Sequence, residues 1–228
     1  MHIGIVAGSA EGAALCYRTI AHEGANRLGP YAHPPVTLDS IPLSQYQECI
    51  DRDDWQGVGE LMLQSARTLA KAGADFLICP DNTMHQGLPL IESRSPLPWL
   101  HIAAVVAEEA RARGFHRIGL LGTKWLVTSD VYPEQLTARG LGYLRPADEE
   151  REDINHFIMN ELVNGIFSPE AIACHQHVIA RMKNDGCDAV VLGCTEIPLI
   201  MNDDNSPLPT LDSTRLLARA AVERAVSR

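Results

Sequence analysis

Cys194 is the side chain best suited to chemistry in this sequence. A free thiol ionises near pH ~8.5, and a helix N-terminus or a nearby cation lowers that value, so a thiolate is within reach at neutral pH. Such a group serves as a general base or a nucleophile. Cys194 lies in Gly186-Cys187-Asp188-Ala189-Val190-Val191-Leu192-Gly193-Cys194-Thr195-Glu196. That segment echoes Gly73-Ala74-Asp75-Phe76-Leu77-Ile78-Cys79-Pro80-Asp81-Asn82-Thr83, which stands 113 positions earlier. In this register Asp81 takes the place of Cys194. Ile3-Gly4-Ile5-Val6 likewise recurs as Ile118-Gly119-Leu120-Leu121, and Ser95-Pro96-Leu97-Pro98 as Ser206-Pro207-Leu208-Pro209. A duplicated chain folds into two similar lobes, and equivalent loops of the two can face each other across a cleft. The expectation is an active site in that cleft, with Asp81 on one wall and Cys194 on the other.

Both residues follow short apolar runs that read as buried parallel strands, and open α/β sheets hold their ligands just past such strand ends. Asn82 and Thr83 on one side, and Thr195 and Glu196 on the other, place small hydrogen-bonding groups at what reads as a helix start. Free N–H groups there suit a carboxylate. Ser9 after the first strand and Thr123 after its repeat read the same way. Four loops, two per lobe, should therefore form a small polar site with anion-binding character. Each residue also has a plainer reading. Cys194 could be a small buried hydrophobe, although its place beside Thr195 and Glu196 favours function. Asp81 before Asn-Thr could cap a helix or close an Asx turn. His85 could be a ring donor at the site or a core residue. Cys79 lies inside a strand, Cys187 pairs with Ala74 in the repeat, and Cys16, Cys49 and Cys174 have no strand-end place, so these five read as structural. His175 and His177 are two apart and fall on different helix faces. With no C-x-x-C pair either, no metal site is expected.

The elements that must position these residues alternate. Strands are predicted at 2–7, 36–41, 76–79, 99–102, 117–121, 141–144, 189–192 and 210–212, and helices at 10–28, 57–72, 102–112, 129–138, 154–165, 168–184 and 213–225. This alternation indicates an α/β protein with parallel sheets. Ser168-Pro169 reads as an N-cap with proline at the first helical position. Gly73 and Gly186 read as left-handed helix ends. The charged run from Glu149 to Asp153 reads as a solvated loop and helix start. The first lobe covers 1–100, with the C-terminal helix 213–228 packing back on it, and the second covers 101–212.

The bulk composition narrows the function classes. The 228 residues are 46% hydrophobic with a net charge of −10, which disfavours nucleic-acid and anionic-membrane partners. No apolar run approaches the ~20 residues needed to span a bilayer. Met1-His2-Ile3-Gly4 lacks a secretory pattern, so a cytoplasmic protein with reduced cysteines is expected.

Asp81-Asn82-Thr83-Met84-His85, together with Leu192-Gly193-Cys194-Thr195-Glu196-Ile197-Pro198-Leu199, resembles the paired signatures of the aspartate/glutamate racemase family. Ile3-Gly4-Ile5, Leu120-Leu121-Gly122-Thr123 and Gly165-Ile166-Phe167 extend the likeness over nearly the whole chain. The resemblance implies a cofactor-independent enzyme of two pseudo-symmetric α/β lobes, often a homodimer, acting on a small-molecule substrate, an amino acid or related carboxylic acid. Such enzymes invert the α-carbon by removing a proton on one face and returning one on the other. Carried across, Cys194 and Asp81 are the opposed pair. Asn82, Thr83, Thr123 and Thr195 hold the substrate, with Ser9 beside them, and Glu196 orients the second loop. Two positions depart from the family pattern: Asp81 stands where a cysteine usually opens the first signature, and Asn164 where a lysine commonly precedes Gly-Ile-Phe. Two alternatives stay open. One is a single-cysteine enzyme of this fold, such as an isomerase, a decarboxylase or a one-face proton exchanger. The other is a non-catalytic binder of amino or dicarboxylic acids.

Overall fold

A computed structural model describes residues 1–227, and these divide into two compact units. One comprises Met1–Ile102 and the residues from Thr214 on; the other is Ala103–Ser213. In the first unit, β1 (Ile3–Ala7), β2 (Val36–Ser40), β3 (Phe76–Ile78) and β4 (Trp99–Leu100) form a parallel sheet in the order β2-β1-β3-β4. In the second, β5 (Arg117–Leu121), β6 (Gly142–Leu144), β7 (Ala189–Leu192) and β8 (Thr210–Asp212) form another in the order β6-β5-β7-β8. The two orders are the same topology, so the chain is α/β with duplicated architecture, as its sequence indicates.

The duplication persists in side-chain detail. β1 is buried along its length and β7 likewise, the near-continuous apolar pattern of strands covered on both faces. Asp75 Oδ2 accepts the His2 N–H at 2.6 Å, and Asp188, its repeat partner, accepts those of His116 at 2.7 Å and Arg117 at 3.0 Å. Each aspartate thus latches the start of the neighbouring strand. Gly4 and Gly119 admit close helices: a Cβ on Gly4 would stand 3.3 Å from Leu69 Cβ, and one on Gly119 2.7 Å from Met182 Sδ. Leu69 and Met182 are again repeat partners, on α3 (Trp55–Lys71) and α8 (Pro169–Asn184). Gly73 and Gly186 follow these helices with φ of +88° and +89°, as predicted. Ser168 caps α8 as predicted, its Oγ accepting the Ala171 N–H at 3.1 Å.

The remaining helices are α1 (Ala10–Leu28), α2 (Leu43–Ile50), α4 (Ile102–Ala112), α5 (Lys124–Thr128), α6 (Val131–Thr137), α7 (Asp148–Asn160) and α9 (Ser213–Val226). α9 lies against α1, with Arg219 Nε donating to Glu23 at 2.8 Å. Among the described residues no helix is long and apolar enough to cross a membrane.

Several sequence expectations need correction. α2 and α5 were not predicted, because eight and five residues are too few to show a helical period. α7 starts at Asp148 and ends at Asn160, so the charged run lies inside a helix. Glu150 there accepts the Ala147 N–H at 2.8 Å and holds Arg181 of α8 at 2.5 Å, which joins two helices. The segments after Asp81 and Cys194 are short 3-10 turns, Thr83–Gln86 and Ile197–Leu199, and not α-helices. Gly87 and Pro89 interrupt the first and Pro198 the second, since proline lacks the N–H that would extend an α-helix.

Candidate active site

In the first unit, β1 and β3 are neighbours, so their following loops emerge side by side. A Cβ on Gly8 would stand 3.0 Å from Asp81 Oδ2 and 2.7 Å from Met84 Sδ, a closeness that only glycine allows. Asp81 Oδ1 accepts the N–H groups of Thr83 at 3.1 Å and Met84 at 3.3 Å. The side chain thus closes the Asx-type turn and is fixed by it. His85 braces the same residue from behind. Its Nδ1–H donates to the Asp81 carbonyl at 2.9 Å while Nε2 accepts the Ile102 N–H at 3.3 Å. With one nitrogen donating and the other accepting, the ring is neutral. Burial, and then the His101 ring 4.6 Å away, hold its pKa well below the usual histidine range. Asn82 and Thr83 are buried, and Ser9 caps α1, its Oγ accepting the Gly12 N–H at 3.1 Å.

Two further residues lie under this loop. Cys79 is buried, with Sγ 3.7 Å from the Asp81 carbonyl, and burial drives its pKa well above that of a free thiol. It stays a protonated packing residue. Tyr46, on the unpredicted α2, is fully buried, and its hydroxyl has no hydrogen-bond partner. Burial, and then the charges of Cys79, Asp81 and Asp39, hold the phenol protonated. Nothing in the local sequence announces Tyr46, because the helix that carries it is so short.

The second unit repeats the layout. Gly193 N–H donates to the Leu121 carbonyl at 2.9 Å, which ties the loop after β7 to that after β5. Cys194 follows, 9% exposed, packed in a cluster with Leu121, Leu162 and Ile197. Its Sγ–H donates to Glu196 Oε2 at 3.0 Å, and Thr195 Oγ1 donates to the same oxygen at 2.6 Å. Glu196 is 3% exposed. Moving one proton from sulfur to this carboxylate would leave a thiolate and a carboxylic acid, with no solvent needed. The three-residue turn beyond offers little helix dipole, whereas the Glu196 carboxylate meets the thiol directly. Thr123 caps α5, its Oγ1 accepting the Leu126 N–H at 3.3 Å. Asn155 of α7, buried, accepts the Lys124 N–H at 3.0 Å and fixes that loop. Asn155 was missed because one asparagine in a charged helix carries no distinguishing pattern. Asn164, in the turn Leu162–Asn164, donates to the Asn160 carbonyl at 3.1 Å. Among the described residues no three His, Cys, Asp or Glu side chains converge as a metal would require.

The chain as a whole matches known proteins. A family model described as Asp/Glu/hydantoin racemase covers residues 5–221. The broad specificity amino-acid racemase RacX of Bacillus subtilis is 24% identical over 197 residues, 83% of this chain and 81% of that one. A crystal structure from Yersinia pestis, described as a candidate Asp/Glu racemase, superposes with a TM-score of 0.90 at 31% identity and 99% coverage of both chains. An aspartate racemase homologue from Pyrococcus horikoshii OT3 superposes at 0.85 with 28% identity, again over 99% of each chain. With its strand-end loops in the arrangement described above, the chain belongs to the Asp/Glu/hydantoin racemase family.

Proposed function

We propose that this protein is a cofactor-independent amino-acid racemase in which Asp81 and Cys194 exchange the α-proton on opposite faces of one substrate. The observation that carries this reading is the Cys194 thiol held 3.0 Å from the buried Glu196 carboxylate at the end of β7. In one direction the Asp81 carboxylate takes the α-proton and the Cys194 thiol returns one to the opposite face. The product state is then a carboxylic acid at Asp81 and a thiolate at Cys194. In the other direction the thiolate abstracts and the Asp81 acid donates. Between turnovers the Asp81 acid gives its proton to solvent and the Cys194 thiolate takes one from solvent, with Glu196 orienting the restored thiol. Hydroxyls of Thr83, Thr123 and Thr195 with the Asn82 amide stabilise the carboxylate as it becomes enolate-like. Ser9 holds the first loop. The reading includes a small-molecule substrate of the amino-acid class, a cytoplasmic location and a homodimer. That location accords with six cysteines none of which is joined in a disulfide; the dimer rests on the family resemblance.

One observation favours a second reading. Asp81 Oδ1 already accepts two backbone N–H groups, a structural duty that would leave Cys194 to exchange a proton on one face alone. Asp81→Asn separates the two, because the amide oxygen can still close the turn but cannot carry a proton. Polarimetry on a single enantiomer should show Cys194→Ala inactive and Asp81→Asn slowed by at least about 100-fold. Full racemisation by Asp81→Asn would remove Asp81 from the chemistry, and full racemisation by Cys194→Ala would overturn the proposal.

A further inference from the structure

The hydroxyl of Tyr46 is buried and has no hydrogen-bond partner. Such a group costs stability relative to an apolar one of the same shape, so a purely structural position would be better served by phenylalanine. The surroundings give the hydroxyl another use. In the first unit β2, β1 and β3 are adjacent and parallel, so the segments that follow β2 and β3 lie at one edge of the sheet. α2, which carries Tyr46, packs on α3: a Cβ on Gly57 would stand 2.9 Å from Sγ of Cys49, one helical turn past Tyr46. α3 in turn meets the turn beyond Asp81, where a Cβ on Gly59 would stand 2.8 Å from the Gly87 carbonyl oxygen.

The titratable groups that face the phenol are Cys79, Asp81 and Asp39. Cys79 is itself a donor, its Sγ 3.7 Å from the Asp81 carbonyl, with Cys16 of α1 beside it. Asp39 Oδ2 accepts the Ser65 hydroxyl. His85, which holds the Asp81 carbonyl, is neutral. Asp81 Oδ1 is fixed by the N–H groups of Thr83 and Met84, and those backbone donors stay in place whether or not the carboxyl carries a proton. A donor with no fixed partner can instead bond to the carboxylate when it is charged and let go when it is protonated. Burial keeps the phenol protonated, and so a donor throughout. We infer that Tyr46 is a positioning residue for Asp81: its hydroxyl donates to the Asp81 carboxylate and favours release of the proton that Asp81 takes up. This role rests on the racemase reading above and deepens it.

The test compares the wild type with Tyr46→Phe, each labelled with carbon-13 at the aspartate side-chain carboxyls. NMR follows the Asp81 resonance, identified by its loss in Asp81→Asn, as pH is varied. Phenylalanine keeps the ring, so Tm should hold or rise, while Asp81 should titrate about one pH unit higher. The acid limb of kcat/KM should move up by the same interval for the enantiomer that Asp81 deprotonates. A tyrosine that only fills space would leave the titration and the limb in place, and an unmoved Asp81 titration would overturn the inference. If the wild type exchanges the α-proton of no amino acid, the racemase reading falls and the titration alone decides the role of Tyr46. Should Tyr46→Phe not fold, 3-fluorotyrosine incorporated into the wild type takes its place. As the stronger donor it should lower the Asp81 titration, and no movement would again overturn the inference.

Discussion

Cys194 and Glu196 form the pair on which the proposed chemistry turns: their 3.0 Å contact is buried, and Thr195 Oγ1 donates to the same carboxylate oxygen. Glu196→Gln keeps an acceptor for the thiol but cannot take its proton. We expect kcat to fall by about 100-fold. Steady-state kinetics check this; an unchanged kcat would remove Glu196 from the proton transfer. Asp81 and Cys194 were legible in the sequence because the repeat marks their positions. Their partners were not. The Glu196 contact and the His85 brace depend on side-chain directions in tight 3-10 turns, where the i, i+4 logic of an α-helix does not apply. Tyr46 was hidden for a different reason, since a residue contributed from a distant short helix leaves no local spacing to read.

At the scale of elements, the long pieces were legible and the short ones were not. β1, β7, α1 and α8 announce themselves by continuous apolar runs or by caps such as Ser168. α2 and α5 are shorter than the window over which periodicity can be seen. The glycines of the strand ends were visible as residues but not as close approaches. A Cβ on Gly193 would lie 2.5 Å from the Leu121 carbonyl, a backbone atom of the adjoining loop, whereas one on Gly119 would meet the end of the flexible Met182 side chain at 2.7 Å. Gly193→Ala must therefore displace the loop that carries Cys194. It should cost about 1–3 kcal/mol together with most of the activity. Gly119→Ala should fall at the low end of that range and retain turnover, as Met182 can adopt another rotamer. Thermal melts and kinetics on both variants check the contrast, and equal effects would contradict it.

The molecule as a whole was the most legible level, because a duplicated sequence implies a duplicated topology and the two sheets share one strand order. Its stability should also depend on pH in a stated direction. His85 and His175 are buried, and burial is the main cause that lowers the pKa of each below the usual histidine value. His175 donates from Nδ1 to the Ala171 carbonyl at 2.7 Å, and its Nε2 has no partner. In the unfolded chain both rings take up a proton near pH ~6.5, while the folded chain excludes it. The unfolded state thus binds more protons below that pH. Their contribution is complete above it and is lost as pH falls toward the lower folded values. Tm should decline from pH 7 to pH 5, and His175→Asn should flatten the decline; an unchanged slope would contradict the assignment. The central claim, that Asp81 and Cys194 work on opposite faces, meets its most direct test in deuterated water. A single amino-acid enantiomer is followed by proton NMR for loss of the α-proton and by chiral chromatography for inversion. Two opposed donors predict that the product enantiomer carries deuterium from its first appearance while the remaining substrate stays protonated at early times. Deuterium accumulating in the unreacted enantiomer without inversion would mean that one face alone is served, and would contradict the account.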